Sequence, residues 1–382
     1  MNSRQKQGGN VKVKVYLDAP NLGELEKGCL SKAIDSGYVS TYGPFVPEFE
    51  EKFAKYLNAK RAVSVQSGTA AIHMALYELG IGPGDEVIVP VLTFVATVNP
   101  VMYVGATPVF VDVDPVTWNI DPKKVEKAIT HKTKAIIPVH LYGVPANMEE
   151  LMYISEKYGI PIIEDATESL GATFKGKYTG TFGVFGCFSF NGNKIITTGG
   201  GGMIVSDDEK AADHIKFLVN QARDASKGYY HTEIGFNYRM TNLEASLGLA
   251  QFERLEEFLE KKRRFNQIYR EVLGSVEGIK FQEEYEGSES SWWLTSIILG
   301  DNIPISVEEL QKRLKDHGIP TRRIFMPIVE FPPYQKYRNG EYKNAYRIYE
   351  RGLNLPSSTI NRNKDVKHIS KVLREVILNV NT

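Results

Sequence analysis

The sequence predicts an α/β protein: a large domain with a mostly parallel mixed sheet flanked by helices, then a smaller C-terminal α/β domain. Three observations support this fold class. The chain has 382 residues, which is too long for one compact core. Short apolar runs alternate with helical patterns up to about residue 205. Some runs, such as residues 87–89, are apolar throughout, which is typical of parallel strands covered on both faces.

The predicted elements of the large domain follow one another in a regular order. Residues 1–11 come first and are expected to be disordered. Strands are predicted at seven apolar runs, namely residues 62–65, 87–91, 108–113, 135–141, 160–163, 186–190 and 202–205. Helical patterns follow several of these runs, including residues 69–79, 121–129 and 148–158. Strands that alternate with helices in this way favour parallel pairing.

A long helix is predicted to connect the two domains. It begins near Thr241, with a capping box formed by Thr241 and Glu244, and closes at Gly274. We place the domain boundary in this helix, so that the large domain spans residues 12–253 and the small domain residues 254–382. The small domain is predicted to contain a strand at residues 292–299 and helices at residues 307–317 and 365–378.

The composition excludes several classes of protein. Forty-six basic residues balance 46 acidic ones, so no overall charge attracts nucleic acid or an anionic membrane. The two cysteines make no disulfide framework and offer no metal site. Residues 1–10 lack the apolar core of a signal peptide, and no apolar run approaches the roughly 20 residues of a membrane span. We therefore expect a cytoplasmic protein that binds neither nucleic acid nor membrane.

An aspartate and a lysine follow two of the predicted strands. Asp165 ends the strand at residues 160–163, and Lys194 follows the strand at residues 186–190. Open α/β sheets place ligand-binding groups at these ends. A carboxylate can hold a pyridine nitrogen protonated, and a lysine amine can form an imine with an aldehyde, so the pair suits pyridoxal phosphate (PLP). The alternatives are an aspartate that caps a turn and a surface lysine.

The functional interpretation of several other residues depends on this pair. Ser-Gly-Thr-Ala-Ala at residues 67–71 opens a helix and offers a phosphate seat, although a plain N-cap is the alternative. Phe94 is either an aromatic that stacks on a flat cofactor or a core residue. Glu168 either reaches the ring hydroxyl or a substrate group, or is solvated. Trp292 and Trp293 are interpreted as strand core rather than as a cover for a base.

Taken together, these motifs resemble the DegT/DnrJ/EryC1/StrS family of nucleotide-sugar aminotransferases, which are fold-type I PLP enzymes. The resemblance extends from residues 37–44 to the C-terminal domain. Its decisive segments, in order, are residues 67–71, 164–169 (Glu-Asp-Ala-Thr-Glu-Ser), 189–194 (Ser-Phe-Asn-Gly-Asn-Lys) and 235–239 (Gly-Phe-Asn-Tyr-Arg). It implies a PLP-binding large domain and a homodimer whose two chains share each active site.

The resemblance also implies a role for each matching residue. Lys194 would hold PLP covalently, Asp165 would pair with the pyridine nitrogen, Glu168 would adjoin the ring hydroxyl, Phe94 would stack on the ring, Gly68, Thr69 and Ser189 would bind the phosphate, and Asn237 would reach the phosphate in the opposite subunit. Tyr42, Arg322 and Arg323 are candidate substrate contacts, because arginine suits phosphate geometry; surface arginines are the alternative. No metal is expected.

The implied reaction is transamination, since a related branch of sugar 3-dehydratases has histidine at the position of Lys194. The form of residues 191–198 resembles the branch that acts on UDP-linked 4-keto-6-deoxy-N-acetylhexosamines, with L-glutamate as donor, for surface glycan biosynthesis. Two departures stand out. Residues 199–202 are four glycines where many members have a glutamate, and Val329 stands where many have a histidine.

Two other functions stay open at this point. A C3 or keto-cyclitol aminotransferase would use the same PLP machinery. A non-catalytic PLP or sugar-nucleotide sensor is disfavoured by the intact Lys194, Asp165 and Ser189. A nicotinamide oxidoreductase is excluded, because the chain has no glycine fingerprint with an acidic ribose partner downstream.

Overall fold

The computed structural model of the protein describes residues 14–379. The predicted disorder of residues 1–11 lies outside this range. Within it, the first eleven strands are β1 (Arg61–Val65), β2 (Glu86–Pro90), β3 (Thr107–Val111), β4 (Thr133–Ile136), β5 (Ile163–Asp165), β6 (Thr173–Phe174), β7 (Lys177–Tyr178), β8 (Phe185–Ser189), β9 (Gly202–Ser206), β10 (Arg223–Asp224) and β11 (Tyr230–His231).

Eight α-helices accompany these strands in the described chain. They are α1 (Glu24–Asp35), α2 (Phe45–Leu57), α3 (Gly68–Glu78), α4 (Asn99–Tyr103), α5 (Pro122–Ala128), α6 (Met148–Tyr158), α7 (Glu209–Leu218) and α8 (Asn242–Glu253). The bounds of α6 match the predicted helix, because Asn147 caps its start with a bond from the Glu150 N–H and Gly159 ends it in the left-handed region (φ 65°).

Seven strands form one continuous mixed sheet. Strands β3, β2 and β4 pair in parallel, and β5 pairs in parallel with β8. Parallel bridges from Ile136 to Ile162 and from Val139 to Asp165 join these two groups. Strand β9 lies antiparallel between β8 and β1. The predicted mostly parallel α/β sheet is confirmed, and the carboxyl ends of β5 and β8 meet at one edge.

The remaining elements are α9 (Leu255–Leu273), β12 (Ile279–Phe281), β13 (Ser288–Glu289), β14 (Ser296–Leu299), α10 (Val307–Asp316), β15 (Arg322–Arg323), α11 (Lys343–Arg351), β16 (Gly352–Asn354) and α12 (Asn363–Leu378). Strand β13 pairs with β6, and the other elements build a smaller α/β unit. Four of these strands form an antiparallel sheet in the order β12-β14-β16-β15. Helices α9, α10 and α12 share an apolar core with it, separate from the core around the large sheet.

Several predicted elements differ from the structure. The strand predicted at residues 135–141 is β4 at residues 133–136, and the strand predicted at residues 160–163 is β5 at residues 163–165. The capping box of Thr241 and Glu244 is confirmed, but the long helix breaks at Arg254, where ψ is 5°. The Arg254 guanidinium donates to Glu26 Oε1 over 3.0 Å, which fixes the break from outside the helix. The predicted strand at residues 292–299 forms only from Ser296 onwards. The predicted domain boundary falls at the helix break, and its position stays a prediction.

No helix between residues 14 and 379 combines the length and apolar character needed to cross a bilayer.

Candidate active site

A cavity of about 390 Å³ lies beyond the carboxyl ends of β5 and β8, between the two sheets. Eleven residues were predicted for the site, and eight of them line this cavity: Gly68, Thr69, Phe94, Asp165, Glu168, Ser189, Lys194 and Arg322. Residues from both α/β units contribute, since Trp293, Arg322 and Phe325 come from the smaller one. The predicted cofactor residues of a single chain are therefore brought together at one place.

Lys194 reaches into the cavity from the loop after β8. Its side chain is only 13% exposed, and its Nζ lies 3.9 Å from Glu168 Oε1. The pKa of the Lys194 amine is lowered, mainly by burial, while Glu168 and then Asp165 oppose the shift. A lowered pKa increases the fraction of neutral amine, which is the form that attacks a carbonyl carbon or removes a proton.

Asp165, the last residue of β5, is buried and precisely oriented. Its Oδ2 accepts a hydrogen bond from Thr97 Oγ1 over 2.7 Å, and its Oδ1 accepts one from the Thr167 N–H over 3.1 Å. Among the described residues, no ion pair neutralises this carboxylate at hydrogen-bonding distance, although it is only 3% exposed. A buried carboxylate in this state favours a cationic ligand group in the cavity.

Glu168 is buried beside Lys194. Its Oε2 accepts a hydrogen bond from the Tyr142 N–H over 2.7 Å. Burial raises the pKa of Glu168 to about 7, with Lys194 acting in the opposite direction. Glu168 is not solvated, so the alternative of a surface role is wrong. Near neutral pH this carboxyl can hold or release a proton next to the lysine.

The N-terminus of α3 lies at the cavity, where its free N–H groups offer donors that suit an anion. Ser67 caps the helix by accepting the Ala70 N–H over 3.1 Å, and the next two N–H groups, of Gly68 and Thr69, are not used within the helix. A Cβ on Gly68 would lie 2.8 Å from Thr167 Cγ2 and 3.0 Å from Ser189 Cβ. Only glycine lets the helix terminus approach Ser189 so closely.

Aromatic rings form part of the wall of the cavity. Phe94 is half exposed and lines the cavity, so its alternative role as a core residue is wrong. Its ring centroid lies 5.6 Å from that of Phe325, which lies 5.3 Å from that of Tyr142. Trp293 continues the row, with its centroid 6.2 Å from Tyr142. Trp293 is buried as predicted, but it precedes β14 and so does not lie in a strand, and it lines the cavity with Lys194 Nζ over its ring.

Three predicted residues do not line this cavity. Tyr42 is 79% exposed and lies at a second cavity together with Arg239. Asn237 is exposed near that surface, and its proposed contact with an opposite subunit stays a prediction. Arg323 is engaged elsewhere, because its guanidinium pairs with Glu308 and donates to the Tyr349 carbonyl over 2.9 Å.

Thr97 and Phe325 were not predicted for this site, and Trp293 was predicted as strand core. Thr97 orients Asp165, Phe325 extends the aromatic wall, and Trp293 faces the lysine. Thr97 lies three positions after Phe94, close to the end of β2, and a hydroxyl at that place is a possible signal. Phe325 lies far along the chain from the motifs, and no local pattern marks it.

The cavity fits PLP. A helix N-terminus with a glycine-dependent approach to Ser189 suits the phosphate, and the Asp165 carboxylate suits a protonated ring nitrogen. Phe94 offers a ring for stacking, and Lys194 offers an amine with a lowered pKa. Phosphate donors, an acid and a lysine thus surround one cavity, in an arrangement that matches the parts of this cofactor.

Comparisons with known proteins agree with this geometry. The model of the DegT/DnrJ/EryC1/StrS aminotransferase family matches residues 20–374. The chain is 39% identical over 367 residues to GDP-perosamine synthase of Caulobacter vibrioides, covering 96% of this chain and 99% of that one. DesV of S. venezuelae superposes with a TM-score of 0.87 at 31% identity, covering 93% of this chain and 95% of that one. The PLP form of Spr1654 from Streptococcus pneumoniae gives 0.91 at 29% identity, covering 97% and 100%.

Proposed function

The chain belongs to the DegT/DnrJ/EryC1/StrS aminotransferase family and is a PLP-dependent sugar aminotransferase, and from this premise we propose that it aminates C4 of a nucleotide-linked 4-keto-6-deoxy sugar with L-glutamate as donor. The observation that carries the proposal is the convergence of Lys194, Asp165 and Glu168 on one cavity that also contains an anion seat.

The bound cofactor supplies one kind of chemistry: PLP carries the amino group and withdraws electrons from the carbon that loses a proton. We place its phosphate at the N–H groups of Gly68 and Thr69 and at the Ser189 hydroxyl, and its ring nitrogen at Asp165. Thr97 and the Thr167 N–H fix the orientation of the Asp165 carboxylate before any ligand enters. Such preorganisation is the main way in which a fixed charge contributes to rate.

Lys194 serves as the base in this proposal. Burial lowers the pKa of its amine, so that the neutral Nζ accepts the proton from the α-carbon of the amino donor. In the second half of the reaction Nζ donates a proton to the sugar carbon that receives the amine. Glu168 lies 3.9 Å away and has a pKa raised to about 7, so it can take up or supply charge as Lys194 changes protonation state. Near neutral pH the two groups together can therefore keep the number of protons in the site constant.

Arg322 is the group we assign to the diphosphate of the acceptor. It lines the cavity and is about one-third exposed, and it also pairs with Asp18 Oδ2 over 2.8 Å. Asp18 accepts a second bond from Asn193 Nδ2 over 3.0 Å, so Arg322 is held next to the lysine loop. We further propose that Asn237 and Tyr42, which lie outside the cavity of their own chain, serve the site of a partner copy in a homodimer.

Two nucleotides are candidates for the acceptor. Residues 191–198 resemble the branch that uses UDP-linked N-acetylhexosamines. The 39% identity to a GDP-perosamine synthase over almost the whole chain favours a GDP-linked sugar. Both candidate acceptors are nucleotide-linked sugar ketones, so one assay compares them directly.

The test is spectroscopic and has two stages. The purified protein is loaded with PLP, and its absorption spectrum is recorded before and after L-glutamate. We expect the visible band of lysine-bound PLP to disappear while the band of pyridoxamine phosphate rises. UDP-linked and GDP-linked 4-keto-6-deoxy sugars are then added separately, and the proposed acceptor is the one that restores the first band. NMR of the product locates the new amine on C4.

A matched variant controls this test. Lys194→Ala should retain PLP without a covalent bond and should show no conversion with L-glutamate. Appreciable turnover in that variant would contradict the role of Lys194. An amine at C3 of the product would replace the C4 proposal with the C3 alternative.

A further inference from the structure

The amine of Lys194 lies directly over an aromatic ring. Its Nζ is 4.1 Å from the centroid of the Trp293 ring. Glu168 Oε1 lies 3.9 Å from the same amine. An ammonium over an indole face is attracted by the ring electrons, and burial strengthens that attraction. The Trp293 side chain is almost fully buried, so its ring has little freedom to turn away.

Several contacts hold the Trp293 ring in this position. Its Nε1–H donates to the carbonyl of Asn193 over 2.6 Å, which joins the ring to the residue that precedes Lys194. Its own carbonyl accepts from the Lys262 Nζ over 3.0 Å. Lys262 is buried and also donates to the Ser357 carbonyl over 3.0 Å, so the anchor reaches into the smaller α/β unit. The side chain and the main chain of Trp293 are therefore fixed independently.

The main chain on either side of this contact is strained. Trp292 has φ of 47° and Tyr142 has φ of 55°, in the left-handed region that non-glycine residues avoid. Between the two segments lies Gly143, where a Cβ would approach Ser291 Oγ to 2.6 Å and the Trp293 nitrogen to 2.7 Å. Strain of this kind persists only where surrounding contacts determine it, and it concentrates at functional sites. The segment before β14 is shaped to bring Trp293 to the lysine.

We propose that Trp293 is a positioning residue for Lys194, whose ring face holds the lysine amine next to Glu168 whenever that amine is not bonded to the cofactor. This inference rests on the proposed role of Lys194. In transamination the lysine must release the cofactor and then act as a base at the same place. A long flexible side chain has many other rotamers in that state. The ring face and the Glu168 carboxylate confine Nζ to the position from which it transfers the proton.

The test compares Trp293→Phe with Trp293→Leu. Both variants lose the indole N–H bond to Asn193, but only phenylalanine keeps an aromatic face, so their difference reports the face and not the hydrogen bond. Trp292→Phe is the matched control, because its neighbouring ring lies near Arg270 and not Lys194. Thermal unfolding verifies that all three full-length variants fold.

The first readout needs no cofactor and no turnover. The pKa of the Lys194 amine is measured in the cofactor-free chain by competitive labelling with acetic anhydride over a pH series, followed by peptide mass spectrometry. We expect the pKa of Lys194 to be about one unit lower in Trp293→Leu than in Trp293→Phe, because the ring face favours the ammonium form. In the Trp292→Phe control, the pKa of Lys194 should equal that of the unaltered chain.

The second readout is the single-turnover rate with L-glutamate in the PLP-loaded variants. Borohydride reduction first measures how much PLP is bonded to Lys194, which we expect to be unchanged. The rate should then fall at least tenfold in Trp293→Leu relative to Trp293→Phe. Equal pKa values and equal rates in these two variants would overturn the positioning role. Absence of trapped PLP on Lys194 in the unaltered chain would instead overturn the proposed function.

Discussion

Gly68→Ala is the substitution that most directly tests the anion seat at the N-terminus of α3. The new Cβ would lie 2.8 Å from Thr167 Cγ2 and 3.0 Å from Ser189 Cβ. Carbon atoms normally pack at about 3.5–4.0 Å, so both neighbours must move by about half an ångström or more. In the absence of ligand, the helix terminus relieves this clash by moving away from Ser189. Phosphate binding requires the terminus and Ser189 to converge again, so the clash should mainly reduce the affinity for the ligand.

The size of the effect follows from the cost of overpacking. A methyl group forced into a filled site costs about 1–3 kcal/mol. Since about 1.4 kcal/mol changes an equilibrium constant tenfold, we expect the Kd for PLP to rise by about 5- to 150-fold. The affinity for pyridoxal, which lacks the phosphate, should change by much less. The assay is a titration of the cofactor-free protein with each compound, followed by tryptophan fluorescence and by absorption.

Gly192 provides a matched control, because it lies between Asn191 and Asn193, which line the cavity. A Cβ on Gly192 meets no heavy atom within 4 Å, although the residue lies two positions before Lys194. Gly192→Ala should therefore bind PLP and pyridoxal as the unaltered chain does. An unchanged PLP affinity in Gly68→Ala, or an equal loss for PLP and pyridoxal, would refute the assignment of the phosphate to this helix terminus.

Three further predictions concern two charged groups of the site and the buried Lys262 that anchors Trp293. Asp165→Asn should slow the single-turnover reaction with L-glutamate by roughly 10²–10³-fold, because a neutral amide does not hold a ring nitrogen protonated; an unchanged rate would contradict the role of Asp165. Burial raises the pKa of Glu168 from 4.5 to about 7, so the free energy of unfolding of the cofactor-free chain should fall by about 3 kcal/mol as pH rises from about 4.5 to about 7. Denaturant titrations should show that Glu168→Gln lacks this fall in stability. A pH profile of the variant parallel to that of the unaltered chain would argue against the prediction. Burial lowers the pKa of Lys262 from 10.5 to about 8, so unfolding takes up a proton between about pH 8 and pH 10.5. The free energy of unfolding should therefore rise by about 3 kcal/mol as pH rises through this range. Lys262→Met should remove this increase in stability, measured by the same denaturant titrations.

Much of the large sheet could be predicted from local patterns. Strands such as β2 and β9 are near-continuous apolar runs because both of their faces are buried. The convergence of Asp165 and Ser189 on one place could be predicted for a related reason, since they end adjacent parallel strands. Although distant along the chain, they lie close together at the edge of the sheet, where α/β proteins bind ligands.

Contacts between distant segments could not be predicted. The helix break at Arg254 depends on Glu26, which is 228 positions away. Trp293 forms part of the site because of the strained turn at Trp292 and the anchor from Lys262, and neither leaves a local pattern. Arg322 and Arg323 were indistinguishable in the sequence. Successive side chains of a strand point to opposite faces, so β15 sends Arg322 to the cavity and Arg323 to Glu308.

The central claim is that Lys194 bonds to PLP and releases it when the amino donor arrives. The most direct measurement is borohydride reduction of the PLP-loaded protein, before and after addition of L-glutamate, followed by peptide mapping with mass spectrometry. We predict that reduction fixes one PLP on Lys194 in the absence of L-glutamate and almost none after the donor has reacted. Fixation on another lysine such as Lys262, or an amount on Lys194 that L-glutamate does not change, would contradict the account.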